Sequence, residues 1–381
     1  MNLFGDLISS RKLLVLPIPV GDLTGIDSDS FMFTPESSDI VRPKELPTIT
    51  IGLVDGCYLN CVYCLASAPN QVTQKLTTEE TVQILRESRE LGCRTLVLTG
   101  GDPFLHEGLT DIVREAIRLR YSPIQVSTKG IEVEKQNAQE LRETGLHWVQ
   151  FSADSLDKDI YEKIVGRKGA YKRMFRGLYT LLNNDFRILL RAVVSKFNIE
   201  HMTDFCRQAN DMGVAEVRAD MIQLIGNRST YHLLPSKSQI ETFLQEIELA
   251  KKELPNMEIR SMVQYVGPPP QCGGGRIKMY IGANGNVTLC DGLAFSGDRF
   301  ICGNIRYNTL QEIWNSKNTD ELRKLRTDDR KCIACSLSEL CNAGCRLRSM
   351  AETNDPDAPD PICGKISPDR VDEIYLYGMK R

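Results

Sequence analysis

No apolar run in this sequence approaches the roughly 18 residues needed to cross a bilayer. The run near the start, Leu13-Leu14-Val15-Leu16-Pro17, is too short for a signal peptide and has no small-residue cleavage site. There is no basic arm or stripe. The 47 Lys and Arg are dispersed among 50 Asp and Glu, for a net charge of −3, which argues against nucleic acid as a partner. These absences leave a cytoplasmic globular chain with no membrane or nucleic-acid partner as the expectation. Its 381 residues suit one large domain or two of ordinary size, and 41% apolar composition is enough for a real core.

Cysteine, by contrast, is abundant: there are 13. In a reducing compartment disulfides are disfavoured, so clustered cysteines point to metal. Cys57, Cys61 and Cys64 form a C-x3-C-x2-C directly after the apolar run 49–54. Cys93 and Cys206 stand alone in helical patterns and read as buried packing. The other eight fall in the last third: Cys272, Cys290, Cys302, Cys332, Cys335, Cys341, Cys345 and Cys363. Zinc would want a fourth Cys or His near the first three, and none follows soon; the next His is His106. Three thiolates alone suit three corners of a four-iron cluster, leaving one iron open to a substrate.

Residues 1–46 show weak periodicity and read as an irregular extension with one strand near 13–17. From 47 to 260 the pattern alternates. Strands are predicted at 48–54, 95–98, 123–127, 147–151, 187–194 and 216–224. Helices are predicted at 77–91, 109–119, 134–144, 158–164, 171–182, 199–212 and 236–252. Six strand–helix units imply a parallel sheet wound right-handedly into a partial (β/α)6, TIM-like barrel, with a doubly wound sheet as the alternative. Gly100-Gly101-Asp102, Thr128, Ser152, Asp154 and Gly226 join the cysteine loop at carboxyl ends of strands, where parallel sheets bind ligands.

The C-x3-C-x2-C after the first strand, with Gly100-Gly101-Asp102-Pro103 after the second, resembles the radical S-adenosylmethionine (SAM) superfamily. The resemblance implies a [4Fe-4S] cluster on Cys57, Cys61 and Cys64, with SAM chelated to the open iron. Reductive cleavage would then yield a 5′-deoxyadenosyl radical that abstracts hydrogen from substrate. It further implies cofactor contacts from Tyr63 on adenine, from Gly100, Gly101 and Asp102 on the ammonium, and from Thr128, Ser152, Asp154 and Arg191. Two departures stand out. Asp102 replaces the commoner Glu and has a shorter reach, and Lys129 replaces the Asn of a Thr-Asn-Gly. The stretch Ile222 to Gly226 resembles an adenine-side strand.

After Pro268-Pro269-Pro270 the character changes. Segments 278–281 and 286–289 flank Asn284-Gly285, a hairpin signal. The cysteine pattern of 261–381 resembles the SPASM extension of radical SAM enzymes. That resemblance implies two auxiliary [4Fe-4S] clusters in a smaller C-terminal domain. Cys332, Cys335, Cys341 and Cys363 would hold the distal one. Cys272, Cys290 and Cys345 would hold the proximal one, its fourth position taken by Cys302 or left open. Asp291 resembles the position of a general base.

SPASM relatives act mostly on peptides, so the expected function is maturation of a ribosomally made peptide. Flavodoxin or ferredoxin would donate electrons, and a separate protein would recognise the peptide, since residues 1–46 look too short for that task. Oxidative modification of a small molecule or tetrapyrrole precursor is the alternative. A structural iron–sulfur or zinc protein is the non-enzymatic one, and about twelve irons per chain, rather than zinc, separates it from the others.

Overall fold

The structure is a computed structural model. It describes residues 43–223, 225, 228–262, 272–324, 330–335, 344–361 and 363. The expected strand near Leu13, the triple proline, Leu224, Gly226 and Cys341 lie outside the described residues.

The strands are β1 (Thr48–Val54), β2 (Thr95–Gly100), β3 (Ile124–Thr128), β4 (Trp148–Ser152), β5 (Arg187–Val194), β6 (Glu216–Met221), β7 (Glu258–Met262), β8 (Lys278–Ile281), β9 (Asn286–Thr288) and β10 (Ile301–Asn304). They form one sheet in the order β10-β9-β8-β1-β2-β3-β4-β5-β6-β7. From β8 to β7 every pairing is parallel, while β9 and β10 add antiparallel strands at one edge. The helices are α1 (Thr78–Glu90), α2 (Leu109–Arg118), α3 (Lys135–Glu143), α4 (Lys158–Val165), α5 (Ala170–Leu182), α6 (Met202–Asp211) and α7 (Lys237–Glu253), then the shorter α8 (Leu310–Trp314), α9 (Lys317–Arg323), α10 (Arg330–Ile333) and α11 (Arg346–Thr353). This is the part-open, TIM-like barrel expected from the alternation. The six expected strand–helix units are present, and β7 and β8 extend the parallel sheet at its two ends.

Alternation along the strands separates two faces. One is apolar: Ile49, Ile51, Leu96, Leu98, Val126, Val149, Leu190, Ala192, Val217 and Ala219 are buried beneath the helices. The other is polar and faces the barrel interior. On it Gln125 donates to Gln150 on the neighbouring strand at 3.1 Å and to Ser127 on its own strand at 2.9 Å. Ser152 lies in register with Arg191, and Arg191 with Arg218. A barrel core filled with apolar side chains would leave no room for a ligand; this one is lined to receive one.

Local signals explain the helix starts. Thr77 and Glu80 form a reciprocal capping box at α1, as Ser236 and Gln239 do at α7. The Glu80 carboxylate also accepts Arg306 Nε at 2.7 Å, which ties the C-terminal part to the barrel wall. No described helix is long and apolar enough to cross a membrane.

Candidate functional site

The cysteine loop follows β1 and is held from three sides. Cys57 N–H donates to the Pro69 carbonyl at 2.8 Å, and Cys64 N–H to the Cys61 carbonyl at 3.0 Å. Asn60 and Val62 N–H donate to the Val165 and Ile164 carbonyls at the end of α4, both at 3.0 Å. At the loop's base, the Asp55 carboxylate accepts the Thr73 and Gln74 amides. Tyr58 lies under two guanidinium groups, Arg167 and Arg173, each 4.1 Å from its ring centroid.

The Gly-Gly turn after β2 presses against this loop. Gly101 N–H donates to the Val54 carbonyl at 2.8 Å, and Asp102 N–H to the Gly56 carbonyl at 3.0 Å. A Cβ on Gly101 would stand 1.8 Å from the Gly56 oxygen, so no other residue fits there. Gly100 has φ +128, a conformation that favours glycine.

Behind the turn, Asp102 is buried, and its carboxylate is fully engaged. It accepts Thr128 Oγ1 at 2.9 and 3.0 Å, Lys129 N–H at 3.1 Å and Phe104 N–H at 3.1 Å. Burial pushes its pKa up to about 6, against the opposing pull of those backbone donors. Asp102 and Thr128 therefore fasten the ends of β2 and β3 together. Their side chains are turned to each other, and the loop's backbone is what they offer outward.

The next strand end carries a second buried carboxylate. Asp154 accepts Tyr63 Oη at 2.6 Å and Lys129 Nζ at 2.9 Å on one oxygen, and Val193 N–H at 3.0 Å on the other. Lys129 also donates to Tyr63 Oη at 3.0 Å. The Lys that breaks the Thr-Asn-Gly pattern is thus the cation neutralising Asp154. Ser152 sits half-buried at the same end of β4. Arg191 donates through Nε to Asp220 at 3.0 Å, and Arg218 reaches the same carboxylate at 2.9 Å. Sequence reasoning missed Asp220; Arg218 precedes it by two on the same strand, but its nearness to Arg191 on β5 was visible only once the register was known.

The chemistry of the donor set fits an iron–sulfur group. The three thiols influence one another electrostatically. Burial pushes Cys57 up to about 11 and Cys61 up to about 12, so thiolates there require strong positive partners, as bound iron supplies. Among the described residues, no group of three or more His, Cys, Asp or Glu is compact enough for a single metal ion. Beside the loop, the buried Tyr161 hydroxyl has no hydrogen-bond partner.

A second cysteine group forms where β8 and β9 meet α11. Cys272 lies near enough to Cys290 and to Cys345 for its charge to bear on both thiols. Cys302 is not among them: it is buried, its neighbours are Phe300, Thr319 and Arg323, and it belongs to the packing of β10. Asp291 pairs with Lys278 at 3.2 Å. Its side chain is 58% exposed. Burial alone would raise its pKa, but the Lys278 ammonium outweighs that and holds it below the usual value. Asp360, also missed from sequence, connects the cysteines of this end. It accepts Cys345 N–H at 2.7 Å and Arg348 Nη2 at 2.6 Å, and its carbonyl accepts Cys363 N–H at 3.0 Å. Cys332 and Cys335 share one turn, with a 3.1 Å backbone bond between them.

Comparison with known proteins bears on both groups. The model of the Radical SAM superfamily matches residues 51–209, and that of the SPASM iron–sulfur cluster-binding domain matches 272–336. A protein of Gluconobacter oxydans (strain 621H) named PqqA peptide cyclase is 29% identical over 89% of this chain and 96% of its own. An AdoMet-dependent heme synthase of Methanosarcina barkeri is 27% identical over 82% of this chain and 94% of its own. Among solved structures, Streptococcus suis SuiB bound to S-adenosylmethionine shares the fold with TM-score 0.71 at 16% identity, over 84% of this chain and 77% of that one.

Proposed function

We infer, from the premise that this chain belongs to the radical SAM superfamily and carries a SPASM iron–sulfur cluster-binding domain, that it is the maturase of a ribosomally made peptide. The enzyme uses [4Fe-4S] clusters and SAM. The observation carrying the peptide reading is the similarity, over 89% of the chain, to a protein named for cyclising a peptide.

In this reading Cys57, Cys61 and Cys64 hold the first cluster, and the backbone of Gly100 and Gly101 receives the ammonium of SAM. That pair, when bound, supplies one-electron cleavage of SAM to a hydrogen-abstracting 5′-deoxyadenosyl radical. Tyr63, fixed by Asp154 and Lys129, walls the cofactor site, and Ser152 and Arg191 line the interior beyond it. Cys272, Cys290 and Cys345 hold a proximal auxiliary cluster. Cys332, Cys335, Cys341 and Cys363 hold a distal one. A substrate that loses a hydrogen atom and then an electron must also shed a proton, and in this reading Asp291 takes it. Electrons enter from a flavodoxin or ferredoxin, and a separate protein presents the peptide.

The similarity to a heme synthase gives a second reading, oxidation of a tetrapyrrole or other small molecule. Anaerobic co-expression with each short peptide encoded beside the gene separates the two. Peptide maturation is expected to change the peptide's mass, and the change is expected to vanish when Cys57, Cys61 and Cys64 are all replaced by Ala. Unchanged peptides, together with turnover of a porphyrin precursor by the purified enzyme, overturn the peptide reading.

A further inference from the structure

We infer that the Tyr161 hydroxyl donates a hydrogen bond to a sulfur of the cluster on the cysteine loop, and thereby sets how readily that cluster is reduced. The inference rests on the assignment of that cluster to Cys57, Cys61 and Cys64.

Tyr161 is fully buried, one of the largest side chains in the interior. It lies on α4, whose last carbonyls, Ile164 and Val165, accept the amides of Val62 and Asn60. Those two residues flank Cys61. Tyr161 lies one turn before Ile164 and Val165, near enough to the loop for Cys57 and Cys61 to act on its hydroxyl. The three helix residues are buried. Gly166 closes the helix with φ +61, and a Cβ there would stand 2.5 Å from the Asn60 oxygen, so helix end and loop are in direct backbone contact. The ring is held edge-on by Tyr171, centroids 6.2 Å apart.

The oxygen at the end of this fixed ring has no hydrogen-bond partner. Buried hydroxyls seldom go unsatisfied. The ionisable groups close enough to act on it are Lys129, Asp154, Cys61 and Cys57. The first two are already committed: Lys129 to Asp154 and Tyr63, and Asp154 to Tyr63, Lys129 and the Val193 amide. That leaves the cysteine sulfurs and whatever sulfide they carry. A phenol is a good donor to thiolate or sulfide, and hydrogen bonds to the sulfurs are among the determinants of a cluster's potential. Reduction adds negative charge, so a donated proton favours the reduced form.

The test is an anaerobic redox titration of the reconstituted enzyme, followed by the electron paramagnetic resonance signal that changes when SAM is added. Tyr161→Phe is expected to make reduction of that cluster roughly tenfold less favourable, ~59 mV lower for a one-electron couple. Iron content and the other cluster signals should stay unchanged. Tyr171→Phe, which removes a hydroxyl bonded to the Leu156 carbonyl instead, should leave the potential in place. If Tyr161→Phe retains iron and keeps the wild-type potential, the inference is overturned. Should that variant lose its iron, 3-fluorotyrosine at position 161, a stronger donor of nearly equal size, is expected to raise the potential; no rise overturns it. A wild-type enzyme with no SAM-sensitive signal would instead overturn the cluster assignment.

Discussion

At the scale of single residues, two carboxylates near the site are exposed to opposite forces. Asp102 is buried without a cationic partner and titrates near 6, above the ordinary 3.8. Between those values the folded chain binds more protons than the unfolded one, so this residue's contribution to stability falls as pH rises through that window. Above it, the shift of 6 − 3.8 costs about 3 kcal/mol. Asp102→Asn removes the titration. The stability difference between wild type and variant, from urea unfolding at pH 4, 5 and 6.5, should therefore change progressively across that range; a constant difference would show that Asp102 is not protonated in the folded chain. Asp291 is the other case, held ionised by Lys278. Asp291→Asn should lower product formation by 10²-fold or more, in line with removal of a general base, while 5′-deoxyadenosine release falls far less. Equal loss of both would remove it from proton transfer. The sequence marked both residues as candidates, but their partners, Thr128 and Lys278, lie at sequence distances that no local pattern reports.

At the scale of elements, what was legible was the strand followed by its turn. The runs 48–54 and 187–194 were placed to the residue, because apolar β-branched stretches bounded by Gly, Asp or Ser announce themselves. β7 was not read, since Glu258-Ile259-Arg260-Ser261-Met262 carries Glu258 and Arg260 on its inward face and Ile259 as the apolar residue on the other. The strand expected to reach 224 ends at Met221. Function at this scale depends on two turns touching, the cysteine loop and Gly100-Gly101. Gly101→Ala places a methyl 1.8 Å from the backbone oxygen of Gly56, so the turn must move away from the loop. Strain of this kind costs on the order of 1–3 kcal/mol. Because it displaces the proposed cofactor site itself, SAM affinity measured by equilibrium dialysis should fall at least tenfold, while the iron proposed at Cys272, Cys290 and Cys345 is retained. Unaltered affinity would mean that the Gly-Gly turn does not touch the cofactor.

At the scale of the whole molecule, the sequence suggested a barrel ending at 260 and a separate smaller domain after it. The change in cysteine spacing and the proline triplet made that division natural. The sheet, however, runs straight across it. β8 pairs in parallel with β1, Thr48 opposite Lys278 and Ile51 opposite Ile281, a pairing of strands more than 200 residues apart that periodicity cannot reveal. Arg306 grips the capping carboxylate of α1, and Leu310 N–H donates to Glu87 at 2.6 Å. The strand bearing the cysteine loop therefore has its outer edge covered by the segment bearing Lys278, Cys290 and Asp291. The two cysteine groups, proposed above as cluster sites, are thus carried by one continuous sheet. A chain ending at Met262 would leave β1 as a bare, apolar edge strand with unpaired backbone groups, a template for aggregation. That truncation is expected to be insoluble or oligomeric on size exclusion even with its first cluster reconstituted. A soluble, monomeric truncation that still cleaves SAM would show instead that the barrel stands alone, and that the shared sheet contributes geometry without contributing stability.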